Sequence, residues 1–123
     1  MDKRFFRFPF KLLRQIVRRL NDRFTPSCII LLYHRVTELA SDPQLLAVSP
    51  CHFEAHLKIL KNRANPLSLQ QLAETLQSGF APRHGVVLTF DDGYADNFLF
   101  AKPILEKYSV PTTFFVASGA LDS

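Results

Sequence analysis

The sequence predicts an α/β fold built on a parallel sheet, and three observations carry that expectation. Apolar runs rich in β-branched and aromatic residues recur at 28–33, 86–90 and 112–117, each of strand length. Segments with helical spacing lie between them, giving the order strand, helices, strand, helix, strand, which calls for parallel pairing with right-handed crossovers. Three strands are few for an independent fold of this kind, and the last leaves a hydrophobic edge, so the architecture reads as unfinished. At 123 residues the chain holds at most one ordinary domain.

Composition narrows the class. A hydrophobic content of 47% with 21% charged residues fits a globular chain and excludes a disordered one. No apolar run reaches the ~18 residues of a membrane-spanning helix. Cys28 and Cys51 make neither a disulfide framework nor a paired-cysteine zinc site, and both are expected as buried free thiols. The net charge of +4 conceals an asymmetry: residues 1–23 hold eight basic against two acidic residues, a surplus of six, which leaves the other hundred at −2. A nucleic-acid surface on the fold is therefore not expected.

Residues 1–26 form a basic arm. Phe10, Leu13, Ile16, Val17 and Leu20 fall on one helical face, with Lys11, Arg14, Gln15, Arg18 and Arg19 opposite, which predicts a basic amphipathic helix. Arginines interrupt every apolar window of the ~7–15 residues a secretory signal needs. The expected location is thus cytoplasmic, with a peripheral place at the membrane left open by the arm. Three roles suit that helix: a shallow anchor on an anionic membrane surface through residues 1–24, a docking helix for a partner or the body, or an ordinary amphipathic helix with a solvated basic face. Thr25-Pro26-Ser27 breaks it, so 27–123 is the second unit.

The run 28–33 is continuously apolar, as suits a strand covered on both faces. His34 and Arg35 emerge where it stops, the end at which parallel barrels build sites. His34 is open between a pocket residue and a satisfied structural histidine. Residues 37–48 read as a loop. Ser49-Pro50 starts a helix, serine as cap and proline in the first turn, which buries Phe53, Leu57, Leu60 and Ala64. His52 and His56 stand four apart on it, a spacing that can hold a metal, but no third ligand is near and their apolar neighbours face a core, so they are read as structural. Ser68 and Gln71 form a capping box for a second helix through Leu69, Leu72 and Leu76, stopped by Gly79.

The stretch from Val86 to Asn97 carries the chemistry. A core strand ends in two adjacent carboxylates, Asp91 and Asp92, followed by Gly93. Packing does not ask for that, because ionised acids at such a place need a cation or strong donors. Beyond it, Phe98, Ala101, Ile104, Leu105 and Tyr108 have helical spacing, Pro103 marks a kink or restart, and Asp96 and Asn97 are expected to cap that helix rather than touch substrate. Val110-Pro111 ends it, and 112–117 predicts the last strand.

Thr89-Phe-Asp-Asp-Gly-Tyr-Ala-Asp-Asn97 resembles the first signature of the polysaccharide deacetylase family (carbohydrate esterase family 4). Residues 31–36, 49–61 and 103–116 resemble the family's opening strand, first helix, and the helix and strand after the signature, so the likeness covers roughly 28–120. It implies a distorted (β/α) barrel of which this chain holds the first roughly three strands, incomplete and preceded by the basic amphipathic helix. It also implies a hydrolase of non-peptide carbon–nitrogen bonds, a metal-dependent deacetylase acting on an N-acetylated glycan or lipid-linked sugar. Asp92 matches the family's metal-ligating aspartate and Asp91 its general base; the metal would be Zn2+ first, with other divalent ions possible. Tyr94 and His34 are candidates for substrate binding, Tyr94 being equally open to a packing role. In the family two histidine ligands follow in a His-x-x-x-His stretch; no histidine follows the signature here, so the chain is expected to be truncated and inert alone. Two rivals stand beside this reading. A magnesium phosphotransferase would want Asp-x-Asp, a spacing the adjacent acids break. A non-catalytic, membrane- or partner-binding fragment of a degenerate deacetylase would act through the arm.

Overall fold

The computed structural model describes residues 26–120, so the helix expected within the arm lies outside the described residues. In chain order the elements are β1 (Cys28–Tyr33), β2 (Arg35–Val36), β3 (Ala47–Val48), α1 (Pro50–Arg63), β4 (Asn65–Leu67), α2 (Leu69–Gln77), β5 (Gly85–Phe90), a π-helical turn (Asn97–Ala101), α3 (Lys102–Tyr108) and β6 (Thr112–Phe114). Every strand pairing is parallel, as the alternation predicted.

Strand β5 is the axis of the sheet. β1 pairs along its whole length, from Cys28 opposite Gly85 to Tyr33 opposite Phe90. On the other side β4 takes its first half and β6 its second, with Leu67 opposite Val87 and Leu88 opposite Thr112. All six residues of β5 are buried, the burial expected of a central parallel strand. Its alternate side chains Val86, Leu88 and Phe90 join Phe53 and Leu57 of α1, Ala101, Leu105 of α3, and Val110 in one core. The rings of Tyr33, Phe90 and Phe114, register mates on adjacent strands, stack with centroids 5.4 and 5.0 Å apart.

The helices start and stop where their sequences direct. Ser49 Oγ accepts from the His52 N–H at the start of α1, and Ser68 and Gln71 bond reciprocally at the start of α2. Gly79, at φ +82°, follows the last turn of α2 in the left-handed conformation that glycine adopts without strain. In α1, Phe53 and Leu57 are fully buried, while Leu60 and Ala64 pack at the margin.

Several expectations are corrected. Residues 37–48 are not all loop: β2 and β3 form a two-residue parallel ladder, and the Asp42 carboxylate accepts the N–H groups of Leu46 and Ala47. Strand β4 is not among the expected strands; its Pro66 is tolerated because β4 lies at an edge of the sheet among the described residues. Strand β1 is not covered on both faces: Ile30 and Leu32 on one face are each more than half exposed, and on the other face Leu31 and Tyr33 pack against the core while Ile29, near the start of the strand, is exposed. Cys51 is exposed rather than buried, one position past the proline that opens α1. Phe98 is 66% exposed although its spacing placed it on the core face. The π-helical turn supplies the reason, because with its wider winding the residue one turn before buried Ala101 is buried Asn97 and not Phe98. Pro103 sits in the first turn of α3, so it marks a restart where a proline lacks no needed donor.

Candidate functional site

Strand β5 delivers the adjacent acids at its carboxyl end. The ladder with β1 runs one residue past the strand, the Asp91 N–H donating to the Tyr33 carbonyl at 3.0 Å. The chain then turns through two successive left-handed residues, Asp92 at φ +69° and Gly93 at φ +68°. For Asp92 that conformation costs about 1 kcal/mol, so something must hold it. Gly93 is needed for its φ and for space: a Cβ there would lie 3.0 Å from Val116 Cγ1 and 3.4 Å from its Cα. Asp91 is half-buried and Asp92 exposed, so the two carboxylates have different surroundings.

Three consecutive residues running from the end of β1 into β2 hold the turn. Tyr33 takes Asp91 by main chain, as above. The His34 carbonyl accepts from Asn97 Nδ2 at 2.8 Å. The Arg35 guanidinium donates to Asp96 Oδ2 from Nε at 2.8 Å and from Nη2 at 2.7 Å, and lies 4.5 Å over the Tyr94 ring. Asp96 and Asn97 are both buried, and the Oδ1 atom of each finds no hydrogen-bond partner among the described residues. Neither caps the helix as expected. Asp96 makes no capping bond because its carboxylate is committed to Arg35, and the Asn97 amide reaches back to the His34 carbonyl.

Each sequence-derived candidate has a definite place. Asp91 and Asp92 sit together at the strand end. His34 is half-buried beside them, and its recorded contact is through its main chain. Tyr94 lies beneath Arg35 and lines an apolar groove of about 400 Å³ with Gly93, Asn97, Phe98, Phe114 and Val116. His52 and His56 stand elsewhere, each with a partner: His52 Nδ1 is 3.0 Å from Ser49 Oγ, and His56 Nδ1 is 3.2 Å from the Tyr33 hydroxyl. Burial pushes the Tyr33 phenol above its ordinary pKa, so it stays protonated in that contact at neutral pH. Arg35 is the residue sequence reasoning passed over. The only available signal was its place directly after His34, at the polar end of an apolar strand.

Among the described residues no three His, Cys, Asp or Glu side chains gather where one ion could be held. Asp92 offers a single exposed carboxylate, whereas a catalytic zinc centre takes three protein ligands, so the described residues alone do not complete such a centre. No helix among them is long and apolar enough to cross a membrane.

Comparisons with known proteins converge on the same stretch. Residues 79–123 match the family model described as polysaccharide deacetylase. The chain is 31% identical over 106 residues to the poly-beta-1,6-N-acetyl-D-glucosamine N-deacetylase of Staphylococcus aureus (strain MSSA476), covering 76% of this chain and 37% of that protein. Among solved structures it resembles a de-N-acetylase from Aggregatibacter actinomycetemcomitans, with a TM-score of 0.68, 33% identity and coverage of 78% and 39% of the two chains. It likewise resembles the Streptococcus pyogenes deacetylase PplD in complex with acetate, with a TM-score of 0.69, 31% identity and coverage of 80% and 46%. The chain spans about a third of the length of the curated relatives it matches.

Proposed function

Taking the chain as a partial relative of the polysaccharide deacetylase family, we propose that it carries the first half of an active site for removing the acetyl group from an N-acetylated sugar. The observation that carries this reading is the pair of acids at the end of the most buried strand, on a strained turn that residues 33–35 hold in place. The overall frame would be the opening strands of a (β/α) barrel, led by the basic arm.

In this reading Asp92 supplies one ligand to a divalent ion, zinc first, which when bound would acidify a water molecule and polarise the acyl carbonyl. Two further ligands would come from outside the described residues, so the described part would be inert by itself. Asp91 accepts a proton from the attacking water. The water oxygen bonds to the acyl carbon, the carbon–nitrogen bond breaks, and the nitrogen leaves as an amine once protonated, with acetate as the other product. Tyr94, two residues past Asp92, and His34, next to the Tyr33 whose carbonyl accepts from Asp91, would contact the sugar. The substrate class is an N-acetylated glycan, on the strength of the relative acting on poly-beta-1,6-N-acetyl-D-glucosamine; a lipid-linked sugar is the variant that an arm resting on anionic membrane from the cytoplasmic side would favour.

The test uses the longest natural polypeptide containing this chain, assayed for zinc content and for acetate released from N-acetylglucosamine oligomers. Asp91→Asn should retain metal and lose about 10²-fold or more in acetate release. Asp92→Asn should lose metal as well. Full activity with both acids changed overturns the assignment, and release of phosphate from a phosphorylated sugar would point to the phosphotransferase.

A second reading is favoured by the lack of a three-ligand cluster among the described residues: a non-catalytic fragment that binds a membrane or partner. Co-sedimentation of residues 1–24 with anionic vesicles, weakened by salt, would support it; no binding at low salt removes the anchor.

A further inference from the structure

Arg35 makes two contacts that face the same turn and that no catalytic role accounts for. Its guanidinium edge meets Asp96 and its flat face covers Tyr94, residues that lie on the far side of the Asp92–Gly93 apex from β5. We propose that Arg35 is a positioning residue: through Asp96 and Tyr94 it closes the 91–97 turn and keeps Asp92 left-handed, so that the two acids present a fixed geometry. The proposal deepens the deacetylase reading and rests on it only for the purpose the turn serves.

Three features support it. First, an aspartate left free still favours right-handed over left-handed backbone, less strongly than the roughly fivefold or more of an ordinary L-residue, and restraint from both flanks accounts for the observed φ of +69°. The Asp91 N–H bond to Tyr33 restrains one flank, and Arg35 with the Asn97–His34 bond restrains the other. Second, the ion pair is badly arranged for stability. Nε and Nη2 converge on the one atom Oδ2, and Oδ1 is left buried without a partner among the described residues, where a fork across both oxygens would satisfy the whole carboxylate. A half-satisfied buried acid is costly, so placement rather than stabilisation is what this contact supplies. Third, the arrangement needs a guanidinium. A lysine could approach Asp96, but it cannot stack a planar cation on Tyr94 while its in-plane donors hold a carboxylate.

The experiment compares the isotope-labelled chain with Arg35→Lys, Arg35→Gln and Tyr94→Leu by nuclear magnetic resonance, without metal or substrate. Backbone couplings and Cα shifts report φ at Asp92, and amide exchange is followed at Asp91 and Asn97 against Val87 and Leu88 in β5. In both Arg35 variants Asp92 should lose its left-handed signature, and the turn amides should exchange roughly fivefold faster or more, with β5 unchanged. Tyr94→Leu, at the exposed rim, should move the same signals less and keeps the test open if Arg35→Gln fails to fold. A left-handed signature retained in Arg35→Lys overturns the proposal. So does exchange that accelerates equally in the turn and in β5, since that marks a merely structural residue. Because no catalysis enters the readout, this result and the acetate assay can fail independently.

Discussion

The Arg35–Asp96 contact makes a sharp energetic prediction, because the two partners are unequally buried. Asp96 keeps 9% of its side-chain exposure and Arg35 keeps 29%. Removing one member of a fully buried pair costs about 3–5 kcal/mol, chiefly through the charge left behind. In Asp96→Leu the stranded charge is the guanidinium, which retains access to water, so the expected cost is about 2–3 kcal/mol. In Arg35→Met the stranded charge is the carboxylate, nearly enclosed and already missing a partner on Oδ1, so the cost rises to about 3–4 kcal/mol. The double variant removes both charges and both desolvation penalties, and should cost about 1 kcal/mol or less relative to the parent. Urea unfolding followed by circular dichroism reads this directly. With a slope of about 1–1.5 kcal/mol per molar, Asp96→Leu moves the midpoint down by about 2 M, and the double variant recovers most of it. The reasoning is refuted if the single costs simply add, or if each is below about 0.5 kcal/mol, the value of an ordinary surface pair.

Two further predictions concern stability away from that pair. Gly79→Ala and Gly93→Ala impose alanine on similar left-handed backbones, but only at Gly93 would the new methyl meet Val116; Gly79→Ala should cost about 1 kcal/mol and Gly93→Ala clearly more, and equal midpoint shifts in chemical denaturation would show that Val116 does not crowd the turn. Hydrogen bonds from Lys107 and Tyr108 hold the Glu54 carboxyl down at about 2, below its unfolded value, so the stabilisation it brings is present above about pH 4.5 and fades as pH falls toward 2. The melting-temperature gap between the parent and Glu54→Gln should therefore close on acidification; a gap that stays constant or widens would mean the carboxylate is not held.

How much was legible in the sequence followed from how local the determining physics is. Strand β5 and the helix starts at Ser49 and Ser68 depend on hydrophobic runs and on caps a few residues long, and these were readable. So was the signature that places Asp91 and Asp92. What escaped depends on partners far along the chain. Arg35 finds Asp96 across 61 residues, and β4 exists as a strand only because β5 lies beside it. The burial of Phe98 was misjudged for a different reason: the 3.6-residue period fails through a π-helical turn, and nothing in Asn97–Ala101 announces that turn beforehand. The roles given to Asp96 and Asn97 failed because a capping residue and a tertiary anchor share the same short polar side chains, and only the fold decides between them.

The placement of the acids also has a mechanical logic. A strained turn can persist only where its two ends cannot move apart, and β5 is the strand paired on both sides along its length. Directly below the turn, Phe90 is stacked between its register mates Tyr33 and Phe114 and met edge-on by Phe53, which fixes the last strand residue before Asp91. The other end of the turn has no strand to lean on, since Asn97 enters a π-helical segment, and there Arg35 and the His34 carbonyl take over. All three anchors come from the consecutive residues 33–35, where β1 passes into β2, so one short stretch of chain serves both flanks of the turn. A site so supported should tolerate substitution in the exposed faces of the sheet but not at Arg35, and that asymmetry would separate a scaffolded pair of acids from two carboxylates in a loop.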